Sequence, residues 1–297
     1  MTPRSKGYLA NPELHRIGKI SPMQLLPLLS YVMPLLRDPC PPCEGTGIVM
    51  VAGGKYLRWA YASIRKTREV TDLPIQIWHL GEAEVTPEDR RKFDDLDVEF
   101  VNAHEFLDEF PMHRLGGWEC KSYAVAHCPF RQVILLDADC HPIVDPEPLF
   151  ETQEFKDTGI IMWPDLNKCR KDDMIFPCMG LAVDPDFQEM EAGQLLVDKK
   201  RLWEAVRFTV WMNSHSEAFY QIAFGDKDLH QMALRKLGLP FSVGDIPDWI
   251  GSGMVHRFRG EPVFRHLMEG KRSSGHLLPS DYVELLGEFE LLNLQTA

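Results

Sequence analysis

The sequence contains no uninterrupted apolar stretch of the ~18–20 residues needed to cross a bilayer. Its nearest approach, Met23 to Leu36, is shorter and carries Pro27 and Pro34, so it predicts a helix packed on the domain. The first twenty residues, MTPRSKGYLANPELHRIGKI, hold neither a continuous apolar core nor a small-residue cleavage site, and the expected location is the cytoplasm. Seven cysteines, an odd and scattered set, exclude a disulfide framework and suit a reduced intracellular chain. Cys40 and Cys43 form a CPPC pair, but a structural zinc site wants a second close pair, and Cys169 and Cys178 are too far apart to supply it. A turn with two free thiols is therefore expected there. The net charge of −12 excludes a surface that tracks a polyanion throughout, while leaving room for a local basic groove. Internal repeats and low-complexity tracts are lacking as well.

What is present is enough for a core: 297 residues, 44% of them hydrophobic. Residues 1–46 are proline-rich and end in DPCPPCEGTG, a breaker cluster, which makes them an N-terminal extension. From Gly47 the run GIVMVA ends at Gly53 and Gly54, and Leu57, Ala60, Tyr61 and Ile64 follow at helical spacing. The pattern recurs in the strand PIQIWHL, a charged helix over about residues 86–95, and the strand VEFV. Alternating strands and helices predict an α/β domain over 47–277 with a mostly parallel sheet covered on both faces. QVILLDAD reads as a strand buried on both faces; GIIMW and GQLLVD are further strands, and the chain is helical from Asp198 to about residue 237. Residues 278–297 contain an amphipathic helix that packs on the domain.

In an open α/β sheet ligands bind beyond the carboxyl ends of the strands, and QVILL puts Asp137 and Asp139 at such an end. Residues two apart on extended chain project to one side, so both carboxylates can converge on a hard cation, Mn²⁺ or Mg²⁺. Such an ion keeps open positions for the oxygens of a diphosphate. His266 is a candidate third ligand and Lys271 a candidate phosphate contact. Cys140, a soft ligand type beside the aspartates, is expected to be packed away.

The run KSYAVAHCPFRQVILLDAD, followed by DPEPLF, GIIMWPD, EAGQLLVDKKRLW, GDKD and H-x-x-x-x-K, resembles the fungal alpha-1,3-mannosyltransferase-like family named after yeast mannan-synthesis enzymes. The resemblance covers about residues 47–271, and the family is similar in turn to glycogenin-like enzymes. It implies a GT-A fold, a single Rossmann-like domain with a divalent metal held by Asp137, Asp139 and His266. It also implies that Gly53, Gly54 and Tyr56 lie near the nucleotide of a UDP- or GDP-hexose. Lys121, Asp137 and Lys271 would then contact the donor, and Glu191, Gln194, Asp226 and Asp228 would line the sugar pocket. Transfer would retain the anomeric configuration, with Asp226, Asp228 and Glu191 as catalytic residues and Asp226 or Asp228 nearest the anomeric carbon. A saccharide is the first acceptor implied. The basic surplus of Arg257, Arg259, Arg265, Lys271 and Arg272 admits a second, DNA carrying hydroxymethylated bases, and a nucleotidyltransferase would use similar carboxylates. Gly251, Gly253 and Gly260 predict a mobile backbone over residues 255–272.

Overall fold

The computed structural model describes residues 20–166, 172–268 and 278–295. The chain opens with helix α1 (Pro22–Leu35), which buries Leu25, Leu29 and Val32 against the domain although Pro27 and Pro34 lie inside it. Strand β1 (Thr46–Val51) leads into α2 (Leu57–Arg68), then β2 (Ile75–His79), α3 (Pro87–Arg91) and β3 (Val98–Asn102). After α4 (Glu119–His127) come β4 (Gln132–Asp137), β5 (Cys140–Pro142), α5 (Gln153–Thr158) and β6 (Ile160–Pro164). The central part continues through α6 (Ile175–Cys178), β7 (Met190–Asp198), α7 (Trp203–Ser214), α8 (Ser216–Ile222) and α9 (Leu229–Leu237). Short strands β8 (Ser242–Val243) and β9 (Asp248–Ile250) precede the hairpin β10 (Gly253–Phe258) and β11 (Glu261–Leu267), and α10 (Ser280–Gln295) follows.

The main sheet has the order β3-β2-β1-β4-β7-β6-β8. β1, β2, β3 and β4 run parallel, β7 is antiparallel to both neighbours, and β8 runs parallel to β6. This is the α/β class with a mostly parallel sheet that the sequence predicts. Alternate residues of each central strand enter opposite cores. Val49, Val133, Leu135 and Val197 pack with α4, α7 and α9, whereas Ile48, Met50, Ile134 and Leu136 pack with α2. Burial on both faces is why QVILL reads as a continuous apolar run rather than an alternating one. Strand order reverses between β1 and β4, so a crevice opens at their carboxyl ends, where Gly53 and Asp137 stand.

A second sheet of order β5-β11-β10-β9 is antiparallel. Part of the segment expected to be mobile, residues 255–267, lies in this sheet. As far as residue 267 that segment is a paired hairpin, turned at Arg259 (φ 54°) and Gly260 (φ 83°). Gly253 is a point of close approach rather than a hinge, since a Cβ there would sit 2.2 Å from the His266 carbonyl oxygen. The helix expected over about residues 86–95 is shorter than predicted and ends at Arg91. At the far end of the chain, α10 lies on α2. Tyr282 shares a 2.5 Å hydrogen bond with Ser63, and Phe289 packs against Tyr61 and Phe93.

Candidate active site

Asp137 ends β4 and Asp139 lies in the two-residue link to β5. Because β11 pairs with β5, with His266 opposite Cys140 and the Leu267 N–H donating to the Asp139 carbonyl at 2.8 Å, the imidazole arrives beside both carboxylates. His266 Nε2 is 3.2 Å from Asp139 Oδ1 and 3.8 Å from Asp137 Oδ2. One ligand atom from each of the three residues falls within 4.8 Å of the others. Two carboxylate oxygens and one imidazole nitrogen form a hard donor set with the reach of a Mn²⁺ or Mg²⁺ site. The second ring nitrogen of His266 faces Glu191 Oε1 at 3.7 Å. That distance is too long for a hydrogen bond, and Glu191 Oε1 accepts the Ala192 N–H at 3.0 Å instead, so Glu191 acts on the ring through its charge. Burial alone would lower the His266 pKa, but Asp139, Glu191 and Asp137 outweigh it and raise it to about 9. In the metal-free protein His266 is therefore an imidazolium that holds the acidic cluster together.

The other side of Asp137 belongs to Lys121. This ammonium on α4 is 2.5 Å from Asp137 Oδ1 and 3.4 Å from Asp226 Oδ2, and it donates to the Ala192 carbonyl at 3.3 Å. Burial works against its charge, yet Asp137 and Asp226 hold its pKa well above the usual lysine value. Asp226 is mostly enclosed, with its side chain 13% exposed, and desolvation raises its pKa while Lys121 opposes the shift. One lysine thus bridges Asp137 and Asp226, two carboxylates far apart in the chain.

The structure separates the two aspartates of GDKD. Asp226 faces Lys121, whereas Asp228 is 4% exposed and accepts the Met190 N–H at 3.0 Å. One oxygen of the Asp228 carboxylate is thus used on the first residue of β7. Burial raises the Asp228 pKa to about 7. Gln194 is buried opposite Leu136, where its Oε1 accepts from the Cys140 thiol at 3.5 Å. Its Nε2 has no hydrogen-bond partner among the described residues. Cys140 is fully buried, as expected. Gly53 and Gly54 follow β1, and Gly53 leaves no room for a side chain because a Cβ would lie 2.5 Å from Glu84 Oε2. Gly54 needs its freedom for another reason, its φ of 52°, and Tyr56 beside it is 54% exposed. Lys271, Arg272 and Cys169 lie outside the described residues.

Two basic residues named for a DNA acceptor are already engaged. Arg257 pairs with Asp248 at 2.7 Å, and Arg259 forks onto both oxygens of Glu154 at 2.9 and 2.7 Å. Sequence reasoning missed several groups near the cluster. Lys227 bridges Asp165 at 2.5 Å and Glu189 at 2.7 Å. His256, fully buried, has both ring nitrogens without a partner among the described residues and lies 6.4 Å from the His266 ring. The alternation of β10 and β11 was the signal available for His256.

The Cys40 and Cys43 sulfurs are 3.8 Å apart, as two free thiols sharing a hydrogen bond.

Residues 45–187 match the family model described as "Mannosyltransferase putative". The chain is 24% identical over 286 residues to the alpha-1,2-mannosyltransferase MNN24 of Candida albicans, covering 76% of this chain and 39% of that protein. To the alpha-1,2-mannosyltransferase MNN2 of Saccharomyces cerevisiae it is 24% identical over 289 residues, covering 78% and 48%. The chain therefore spans less than half the length of these curated relatives. Their names carry an alpha-1,2 linkage rather than the alpha-1,3 linkage of the family suggested by the sequence motifs. Among solved structures it is similar to the bifunctional glycosyltransferase WbbM, with a TM-score of 0.49, 12% identity and coverage of 86% of this chain and 52% of that one.

Proposed function

We propose that this chain is a metal-dependent, retaining glycosyltransferase of the GT-A type that moves a hexose, mannose first among the candidates, from a nucleotide-sugar donor to a saccharide hydroxyl. The observation that carries the reading is the meeting of Asp137, Asp139 and His266 at the carboxyl end of β4, with Lys121 and Asp226 against their other side. The match to a mannosyltransferase model and the names of the relatives support mannose.

Asp137, Asp139 and His266 would hold Mn²⁺ or Mg²⁺, which supplies charge neutralisation to the leaving diphosphate. Glu191 adds negative charge beside the buried His266 ring. Lys121 is a fixed cation beside Asp137, preorganised by burial to meet donor oxygens without rearrangement at the moment of reaction. Asp226, held by Lys121, is the carboxylate assigned to the hexose, where it orients hydroxyls or opposes positive charge developing at the anomeric carbon. Asp228 has a structural part instead, and Gln194 offers an unused amide donor to the pocket. Gly53, Gly54 and Tyr56 form the turn assigned to the nucleotide.

Product chemistry tests the reading. Incubated with Mn²⁺ and a panel of UDP- and GDP-hexoses, the protein is expected to release nucleoside diphosphate slowly from one donor and faster once a mannoside is added. Release of pyrophosphate from a sugar phosphate and nucleoside triphosphate would point to a nucleotidyltransferase and contradict the proposal.

A further inference from the structure

Two large aromatic side chains stand exposed at the edge of the charged cluster, and both are tied to it through the backbone. Trp118 immediately precedes α4 and is 53% exposed; its carbonyl accepts the Lys121 N–H at 3.1 Å. Its ring lies over Gly225, where a Cβ would come within 2.8 Å of Trp118 Cε3. Gly225, at φ 65°, directly precedes Asp226. Tyr220 braces the ring at 6.2 Å between centroids, and its own hydroxyl donates to Asn213 Oδ1 at 2.7 Å. Phe224 on the same turn is 44% exposed.

Singly exposed aromatic residues are ordinary; what sets Trp118 apart is a ring held rigidly beside the charged cluster, a flat apolar face on which a ligand can stack. Here the indole is fixed in place by a glycine beneath it and a tyrosine beside it, so it keeps one orientation rather than collapsing onto the fold. A pyranose ring fits such a surface, because one of its faces presents only C–H groups while its rim carries hydroxyls. We propose that Trp118, with Phe224 beside it, is the acceptor platform: the apolar face of a neutral hexose stacks on the indole, with its hydroxyls turned toward Asp226 and its neighbours. The proposal rests on the glycosyltransferase reading and names the substrate class for one edge of that site. The donor's diphosphate is assigned to Asp137 and the metal ligands and its hexose to Asp226, so a ring stacked on Trp118, over Gly225, would bring an acceptor hydroxyl toward the anomeric carbon.

The test titrates α-mannobiose into the full chain, without donor, by calorimetry and by saturation-transfer NMR. Wild type is compared with Trp118→Ala, Trp118→Phe and Phe224→Ala. Trp118→Ala is expected to weaken binding about tenfold or more, the size of one lost aromatic contact, while Trp118→Phe keeps most of it. The strongest saturation should fall on ring C–H protons. Equal affinity in wild type and Trp118→Ala, or no binding by wild type, would overturn the platform. So would a concentration-dependent dimer that Trp118→Ala dissolves, which would give this face to a second copy. Metal-dependent nucleoside diphosphate release by wild type, measured in parallel, reports on the enzyme reading alone. Its absence would overturn that reading without touching the binding comparison.

Discussion

At Gly193 a single methyl group would occupy the space that His266 uses. A Cβ there would lie 2.4 Å from Nδ1 and 2.6 Å from Cε1 of a ring that is completely buried. Buried rings cannot swing aside without opening space elsewhere. Gly193→Ala is therefore expected to displace His266 from Asp139 and weaken Mn²⁺ binding about tenfold or more, read by the EPR signal of free Mn²⁺. Unchanged Mn²⁺ affinity would contradict the placement of His266 as a ligand. Asp228 gives a second test, with a definite sign. Its folded pKa is raised from 3.8 to about 7 by burial, so the folded state holds a proton that the unfolded state releases. The resulting stability is complete below about pH 4 and is lost as pH rises toward 7, by on the order of 3–4 kcal/mol. Denaturant melts at a series of pH values should show Asp228→Asn flattening this slope, because an amide oxygen still accepts the Met190 N–H without carrying charge. An identical slope in wild type and variant would show that Asp228 is not the group responsible.

On the scale of elements, the site is made by strands meeting rather than by one motif. β4 supplies Asp137, β11 supplies His266 by pairing with β5, β7 supplies Glu191, and α4 supplies Lys121. The strand QVILL and its terminal aspartates were legible because a strand covered on both faces leaves an apolar run that stops where the chain reaches the crevice. His266 was legible as one candidate among several histidines, and as a ligand through family resemblance: 127 residues separate it from Asp139, and the pairing of β11 with β5 leaves no mark in local spacing. The difference between Asp226 and Asp228 was not legible, since both are acidic residues of one short turn and only the position of β7 assigns one of them to Met190. Gly193 gave no signal either, because its reason for being glycine is a ring from a distant strand. α10 is equally tied in: Tyr282 is 1% exposed, bonds Ser63 and stacks near Trp59 and His141 at 6.2 and 5.7 Å. Tyr282→Ala should cost roughly 3–5 kcal/mol by the rule for deleting a buried aromatic. A loss under about 1 kcal/mol in urea denaturation would mean that α10 is a detachable tail.

Over the whole molecule, the acidic balance of −12 coexists with a site in which carboxylates gather around buried cations. Lys121 serves Asp137 and Asp226, Lys227 serves Asp165 and Glu189, and the His266 imidazolium serves Asp139. The described residues include no helix long and apolar enough to cross a membrane. The basic surplus read from residues 255–272 proved to be spent partly on Asp248 and Glu154, a pairing that composition alone does not reveal. In the proposed reaction, hexosyl transfer needs a divalent ion at Asp137, Asp139 and His266. The most direct test of that need is donor turnover by wild type and Asp139→Asn, each with Mn²⁺ and with EDTA, alongside a thermal melt to confirm folding. EDTA is expected to lower wild-type turnover about 100-fold or more, Mn²⁺ to restore it, and folded Asp139→Asn to stay at the EDTA level in both conditions. Full wild-type turnover in EDTA, or full Mn²⁺-stimulated turnover in Asp139→Asn, would contradict it.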